Sequence, residues 1–114
     1  MIAALDKIRQ ALLSVTKNVF HYDTLSPQKP DQYLVWAEDS GGDDVWADDV
    51  CTYQAITGTV DYFTRTENDP TIEKIQHALN NADIIWNLNS IQYEKDTKYT
   101  HYEWEWEVSD GGEI

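Results

Sequence analysis

Residues 99–108 read Tyr99-Thr100-His101-Tyr102-Glu103-Trp104-Glu105-Trp106-Glu107-Val108. Successive side chains of a β-strand point to opposite sides of the sheet, so Tyr102, Trp104, Trp106 and Val108 share one face. His101, Glu103, Glu105 and Glu107 share the other. A strand that is aromatic on one side and acidic on the other belongs to an antiparallel sheet with one face packed and one wet. The aromatic side then calls for a covering layer of helices.

Working outward, Ile84 to Tyr93 reads as the other arm of a hairpin whose turn lies near Lys95-Asp96-Thr97-Lys98. An odd-numbered turn brings Trp86 and Leu88 onto the tryptophan face, whereas a two-residue turn sets them opposite the glutamates, so an odd turn is expected. Before the hairpin, Asp69-Pro70 marks a helix start, because a carboxylate accepts from free amides and proline tolerates the first helical position. The apolar stripe of that helix is Ile72, Ile75, Leu79 and Ala82, with Asn80-Asn81 accepting a left-handed end.

Residues 51–66 are dense in Thr, Tyr, Ile, Val and Phe and predict a long strand, with Ile56, Val60 and Tyr62 on one face and Gly58 marking a bulge or bend. Tyr33 to Ala37 predicts a strand ended by a flexible turn at Glu38-Asp39-Ser40-Gly41-Gly42. Pro27 and Pro30 make residues 25–31 a loop, and Val19 to Asp23 a short strand before it. Leu5, Ile8, Leu12, Val15 and Val19 fall on one helical stripe from Ile2 to Asn18, with Asp6 and Lys17 placed favourably for the macrodipole. The order is therefore α-β-β-β-α-β-β, an α+β fold with an antiparallel or mixed sheet and two helices, without internal repeats. One domain is expected over 1–108, followed by a flexible tail at 109–114.

The 114 residues carry 21 acidic and 8 basic side chains, a formal net charge of −13, so the surface lacks the cations that hold phosphates and direct nucleic-acid binding is not expected. With 41% hydrophobic residues the chain can still bury a core. Cys51 stands alone and has no internal disulfide partner, which fits a reducing compartment. Neither a basic-then-apolar leader nor an apolar run near the ~20 residues of a membrane span is visible, so a cytoplasmic protein without membrane contact is expected.

Glu38, Asp39, Asp43, Asp44, Asp48 and Asp49 crowd one segment without a basic residue. It lacks the carboxylate ladder, central glycine and terminal glutamate of a calcium loop, so no metal is expected. A solvated or partner-facing acidic loop is the better reading, in which Val45 and Trp46 tuck onto the core or anchor an interface. Asp43, Asp44, Val45, Trp46, Asp48 and Asp49 are thus the candidate partner interface. Glu103, Glu105 and Glu107 stand about 6.6 Å apart along their strand, a separation that overlaps inverting glycosidase carboxylates. Without an apolar pocket for one of them, they read as a water-facing or lumen-facing acidic surface. His21, His77 and His101 are dispersed without zinc spacing, and no nucleophile elbow or phosphate loop is present. No catalytic residue, cofactor or enzymatic activity is therefore expected.

Several stretches recur together: the opening amphipathic helix, Tyr33-Leu34-Val35-Trp36, the acidic loop through Trp46-Ala47-Asp48, and Gly58-Thr59-Val60-Asp61-Tyr62-Phe63-Thr64. The Asp69-Pro70 helix, Ile91-Gln92-Tyr93-Glu94 and the closing strand from Tyr99 through His101-Tyr102 to Trp104-Glu105-Trp106 follow in order. In this order, over most of its length, the chain resembles the tail-completion (tail-terminator) proteins of long-tailed bacteriophages, especially those of Gram-positive hosts. The resemblance implies a curved sheet with helices, and subunits that join as a hexameric ring capping the head-proximal end of the tail tube. Such a ring ends tube polymerisation and mediates head–tail joining, with the tail tube protein and a head–neck connector protein as partners. A structural protein is implied, in the bacterial cytoplasm during assembly and then in the virion.

A ring of acidic subunits would repel phosphates in its bore, which suits a conduit. Glu103, Glu105 and Glu107 are expected at solvent, in the lumen or outside, or paired with a neighbour's Lys95 or Lys98, because they repel one another. A small acidic DNA mimic occupying the basic cleft of a nucleic-acid-binding protein fits the charge equally well, although here many carboxylates gather in one loop. A carbohydrate-binding module is a third reading and would require several exposed tryptophans.

Overall fold

The computed structural model describes residues 3–24, 29–40, 44–47 and 50–110, the side chains at 3, 40, 44–47, 50–54 and 109–110 excepted. Its elements run α1 (Ala3–Leu13), β1 (Val19–His21), β2 (Gln32–Ser40), β3 (Asp44–Ala47), β4 (Val50–Thr64), α2 (Thr71–Asn81), β5 (Ile85–Tyr93) and β6 (Thr100–Asp110). The strands form one mixed sheet in the order β1-β2-β4-β6-β5, with β3 on β4. The fold is α+β in the expected order, plus one short strand.

That strand corrects the expected acidic loop. β2 continues through Glu38 and Asp39 to Ser40, and Asp44–Ala47 pairs antiparallel with β4, Asp44 opposite Gln54 and Val45 opposite Tyr53. The β-forming pair Val45-Trp46 and the backbone groups offered by residues 50–54 outweigh the local charge. β6 likewise extends past the expected end at 108, with Ser109 and Asp110 in register with Ala55 and Gln54.

α1 stops at Leu13, a turn short of the expected Asn18. Ser14 Oγ bonds the Ala11 carbonyl at 2.6 Å, and Val15 and Thr16 follow, residues whose branching or side-chain hydrogen bonding weakens a helix. Val15 and Val19 still pack against the core from outside the helix. β1 ends at His21, where Tyr22 turns into the left-handed region at φ 71°. It runs parallel to β2, Phe20 beside Val35, which makes the sheet mixed.

α2 ends in a left-handed residue as expected, but at Asp83 (φ 58°) rather than at Asn80-Asn81. Ile84 N–H reaches the Leu79 carbonyl at 3.0 Å and Asp83 N–H the Asn80 carbonyl at 3.0 Å, the paired bonds of a Schellman end, and the Ile84 and Leu79 side chains are both buried there.

The helices lie on one side of the sheet. Ile8, Leu12, Leu34, Trp36, Val60, Tyr62, Ile75, Leu79, Trp104 and Trp106 fill the space between, each no more than 2% exposed. The expected core face of β6 is thus the core. Gly58 keeps regular register between Glu38 and Trp106, while the irregularity lies across from it at Asp39, the extra residue between Glu38 and Ser40. A Cβ at Gly58 would overlap the Ala37 carbonyl and the Trp106 indole, so glycine is there to admit the ring.

The hairpin reaches its expected register by an unexpected route. Glu94 N–H bonds the Tyr99 carbonyl, which leaves the four residues 95–98 as the turn, an even number, with Lys98 left-handed at φ 66°. Ser90 accordingly faces Glu103, but Leu88 faces Trp104 and Trp86 faces Trp106. Asn89 is the extra residue: its bulge flips the parity and returns Trp86 and Leu88 to the aromatic face.

Candidate functional site

The described helices lie on one side of the sheet only. On the other side Tyr33, Phe63 and Tyr99 pack together at one end, with Tyr99 OH donating to the Pro30 carbonyl at 2.6 Å. The rest of that face is open among the described residues, and its chemistry follows from the register. Val35, Asp61, Glu103 and Ser90 form one cross-strand row, and Ala37, Thr59, Glu105 and Asn87 the next. Thr57, Glu107 and Ile85 form a third. Glu103, Glu105 and Glu107 therefore share this open face, as expected. Glu105 is exposed, and Glu103 and Glu107 are half-buried.

The side-chain partners of Glu103 and Glu105 are amides. Asn89 Nδ2 donates to Glu103 at 2.7 Å and Asn87 Nδ2 to Glu105 at 3.5 Å, both from β5. Asn89 reaches the open face because the bulge turns two successive side chains, Asn89 and Ser90, to one side. Asp61 stands opposite Glu103, an unfavourable pairing of like charges that His101 relieves. His101 Nε2 contacts Asp61 Oδ1 at 2.7 Å and the ring stacks on Phe63. The hydrogen bond that His101 donates to the Asp61 carboxylate raises the His101 pKa above its ordinary value, against the opposing effect of burial.

At one end of this face a shallow depression of about 350 Å³ lies over Gly58, Trp86 and Trp106, with Asp39, Glu105 and Glu107 around it. Thr57 Oγ1 donates to Asp39 at 2.9 Å. Among the described residues no histidine, lysine or cysteine lines the depression, and its charged lining is acidic.

At β1, His21 stacks between Tyr22 and Trp36 at centroid distances of 4.0 Å and reaches Glu38 at 2.7 Å. Burial works against the Glu38 charge, but hydrogen bonds from Tyr22 and His21 outweigh it and lower its pKa.

Sequence reasoning missed a buried knot at Asp69, which it read only as a helix start. Asp69 Oδ1 accepts from Thr71 N–H at 2.9 Å, the expected capping contact. Oδ2 accepts from Tyr62 OH at 2.7 Å, Thr64 Oγ1 at 2.7 Å and Gln32 Nε2 at 2.9 Å. Burial opposes the carboxylate charge, yet these donors hold its pKa down to about 2. The knot ties β2 and β4 to the start of α2, and four donors on one carboxylate make it a fixed point of the fold.

Of the candidate interface, Asp44, Val45 and Trp46 lie on β3, with their side chains outside the described residues; Asp43, Asp48 and Asp49 are wholly outside them. Trp36, Trp104 and Trp106 are buried and Trp86 is half-buried, its Nε1 donating to Asn80 at 2.8 Å, so the described tryptophans offer no exposed platform for sugars. Among the described residues no group of three His, Cys, Asp or Glu is placed to hold a metal ion. No described helix is long and apolar enough to cross a membrane. No protein-family model matches the chain, and no curated protein matches it.

Proposed function

We propose that this protein is a structural component of a long-tailed phage or prophage that caps the head-proximal end of the tail tube, ends tube polymerisation and mediates head–tail joining as a ring. The observation that carries the reading is the one-sided sheet. The described helices cover one face; on the other, beyond the aromatic cluster of Tyr33, Phe63 and Tyr99, Glu103, Glu105 and Glu107 align with Asp61 and Asp39 beside them. Arranged around an axis with that face inward, the subunits line a bore with fixed negative charge, past which DNA moves without adhering. The element order supports the same reading, since it is the order in which the tail-completion resemblance runs.

The sheet also supplies an arm. β4 is fifteen residues long, and its first four, Val50–Tyr53, precede the stretch that pairs with β6 and are joined to β3. The molecule is accordingly 53 Å long against 26 and 23 Å across. This arm carries the acidic segment with Val45 and Trp46, and in our reading it contacts the tube protein or the neck connector; the hexameric ring and the virion location belong to the same proposal.

Deleting the gene from its phage or prophage, inducing, and counting particles by electron microscopy tests the role. Overlong or unattached tails beside filled heads, restored by the wild-type gene, are the expected result. Normal joined virions would refute it and leave the acidic DNA mimic as the reading to pursue.

A further inference from the structure

The two edges of the sheet are guarded very differently. At one end lies β1, three residues long and too short to template another strand. At the other lies β5, nine residues, Ile85-Trp86-Asn87-Leu88-Asn89-Ser90-Ile91-Gln92-Tyr93, which among the described residues pairs with β6 alone. It holds no charged residue and no proline, although a quarter of the chain is charged. Ile85, Leu88, Ile91 and Tyr93 are 68%, 39%, 56% and 61% exposed. An uncharged, apolar, exposed edge of this length is a strand-pairing surface.

Its backbone spacing selects the occupant. Residues of an antiparallel pair alternate between bonding their neighbour and pointing their N–H and C=O away. Counting from the bonded Glu94–Tyr99 pair, the outward residues are Tyr93 and Ile91, and beyond the Asn89 bulge Leu88 and Trp86. The steps along the edge are therefore two, three and two, where a regular strand offers two throughout. A regular strand from another protein loses register at the bulge. A second copy of β5 laid antiparallel presents the same two-three-two spacing in reverse.

We propose that β5 is the seam of a two-fold dimer, in which two copies join antiparallel into one continuous sheet. Trp86 then faces the second copy's Tyr93 and Leu88 its Ile91, so all four outward residues meet apolar partners on the helix side. Asn87 faces Gln92 on the open side. The pairing also manages the net charge of −13. The glutamate row lies one strand in from the edge, so the two rows are three strand spacings apart, about 14 Å. That exceeds the ~8 Å screening length at physiological salt, and the repulsion across the seam is weak. Because a two-fold contact closes on itself, this dimer is the state of the free protein, and a cyclic ring uses other surfaces. The inference rests on the edge alone and stands or falls separately from the tail role.

Light scattering on the full chain over a concentration series tests it, with two variants that place like charges opposite each other across the seam. The wild type is expected at twice 13.2 kDa. L88K/I91K and L88E/I91E should each dissociate, with Kd raised on the order of 100-fold, while keeping the wild-type circular dichroism and a cooperative melt, the melting temperature falling to that of the diluted, monomeric wild type. Mixing the two variants should restore the dimer, because each introduced cation then faces an introduced carboxylate. A wild type that stays monomeric at the highest concentration overturns the proposal. So do charged variants that still dimerise alone, or a mixture that does not pair.

Discussion

Asp69→Asn removes one charge and almost no volume from the knot that joins β2, β4 and α2. The carboxylate pKa falls from the ordinary 3.8 to about 2, and at about 1.4 kcal/mol per pKa unit the folded state favours the ionised form by about 2.5 kcal/mol. The asparagine amide also turns a donor toward Tyr62, Thr64 or Gln32, each of which already donates. A loss of about 3 kcal/mol at pH 7 follows, a fall in Tm on the order of 10 °C for a domain of this size. The pH dependence isolates the electrostatic part. A depressed carboxylate contributes stability that is present above its unfolded pKa of 3.8 and is lost as pH falls through the folded value near 2. Urea titrations of wild type and variant should show a gap that narrows by about 1 kcal/mol between pH 7 and pH 3. A gap below 0.5 kcal/mol at pH 7, or one unchanged at pH 3, would refute the account of Asp69.

Two further substitutions probe the sheet. Gly58→Ala drives a Cβ into the Ala37 carbonyl and the Trp106 ring, and should cost about 2–4 kcal/mol in denaturant unfolding with loss of the near-ultraviolet tryptophan signal; a neutral result would mean the ring is not where the register puts it. Asp61→Asn should lower the His101 pKa toward its ordinary 6.5, read by NMR titration. Since a raised histidine pKa contributes stability that is full below 6.5 and lost as pH rises through the folded value, the wild-type advantage over Asp61→Asn should shrink between pH 6 and pH 8.

The sheet face of β6 was legible because period-two alternation of Trp and Glu has one physical meaning, and the structure places Trp104 and Trp106 in the core and Glu103, Glu105 and Glu107 on the open side. What sequence left hidden depended on partners far along the chain. Asp69 is recognisable as a helix start, but Tyr62, Thr64 and Gln32 converge on it only once β2 and β4 are paired. The Asn89 bulge is invisible in sequence for the same reason: an odd turn is expected to carry Trp86 to the aromatic face, whereas the turn is even and the bulge brings it there. Composition misled at Asp44–Ala47, where acidic residues suggested a loop and backbone pairing to β4 makes a strand. The β5 edge did carry a signal, nine residues without a charge in an acidic chain, whose meaning depended on knowing that β5 ends the sheet.

Where the protein sits in a finished particle tests the central claim most directly. Gold-labelled antibody against the chain, imaged on purified virions and on detached tails, should mark one end of each tail, the end that meets the head. Label along the tube, at the distal tip, or absent from particles altogether would contradict a head-proximal cap.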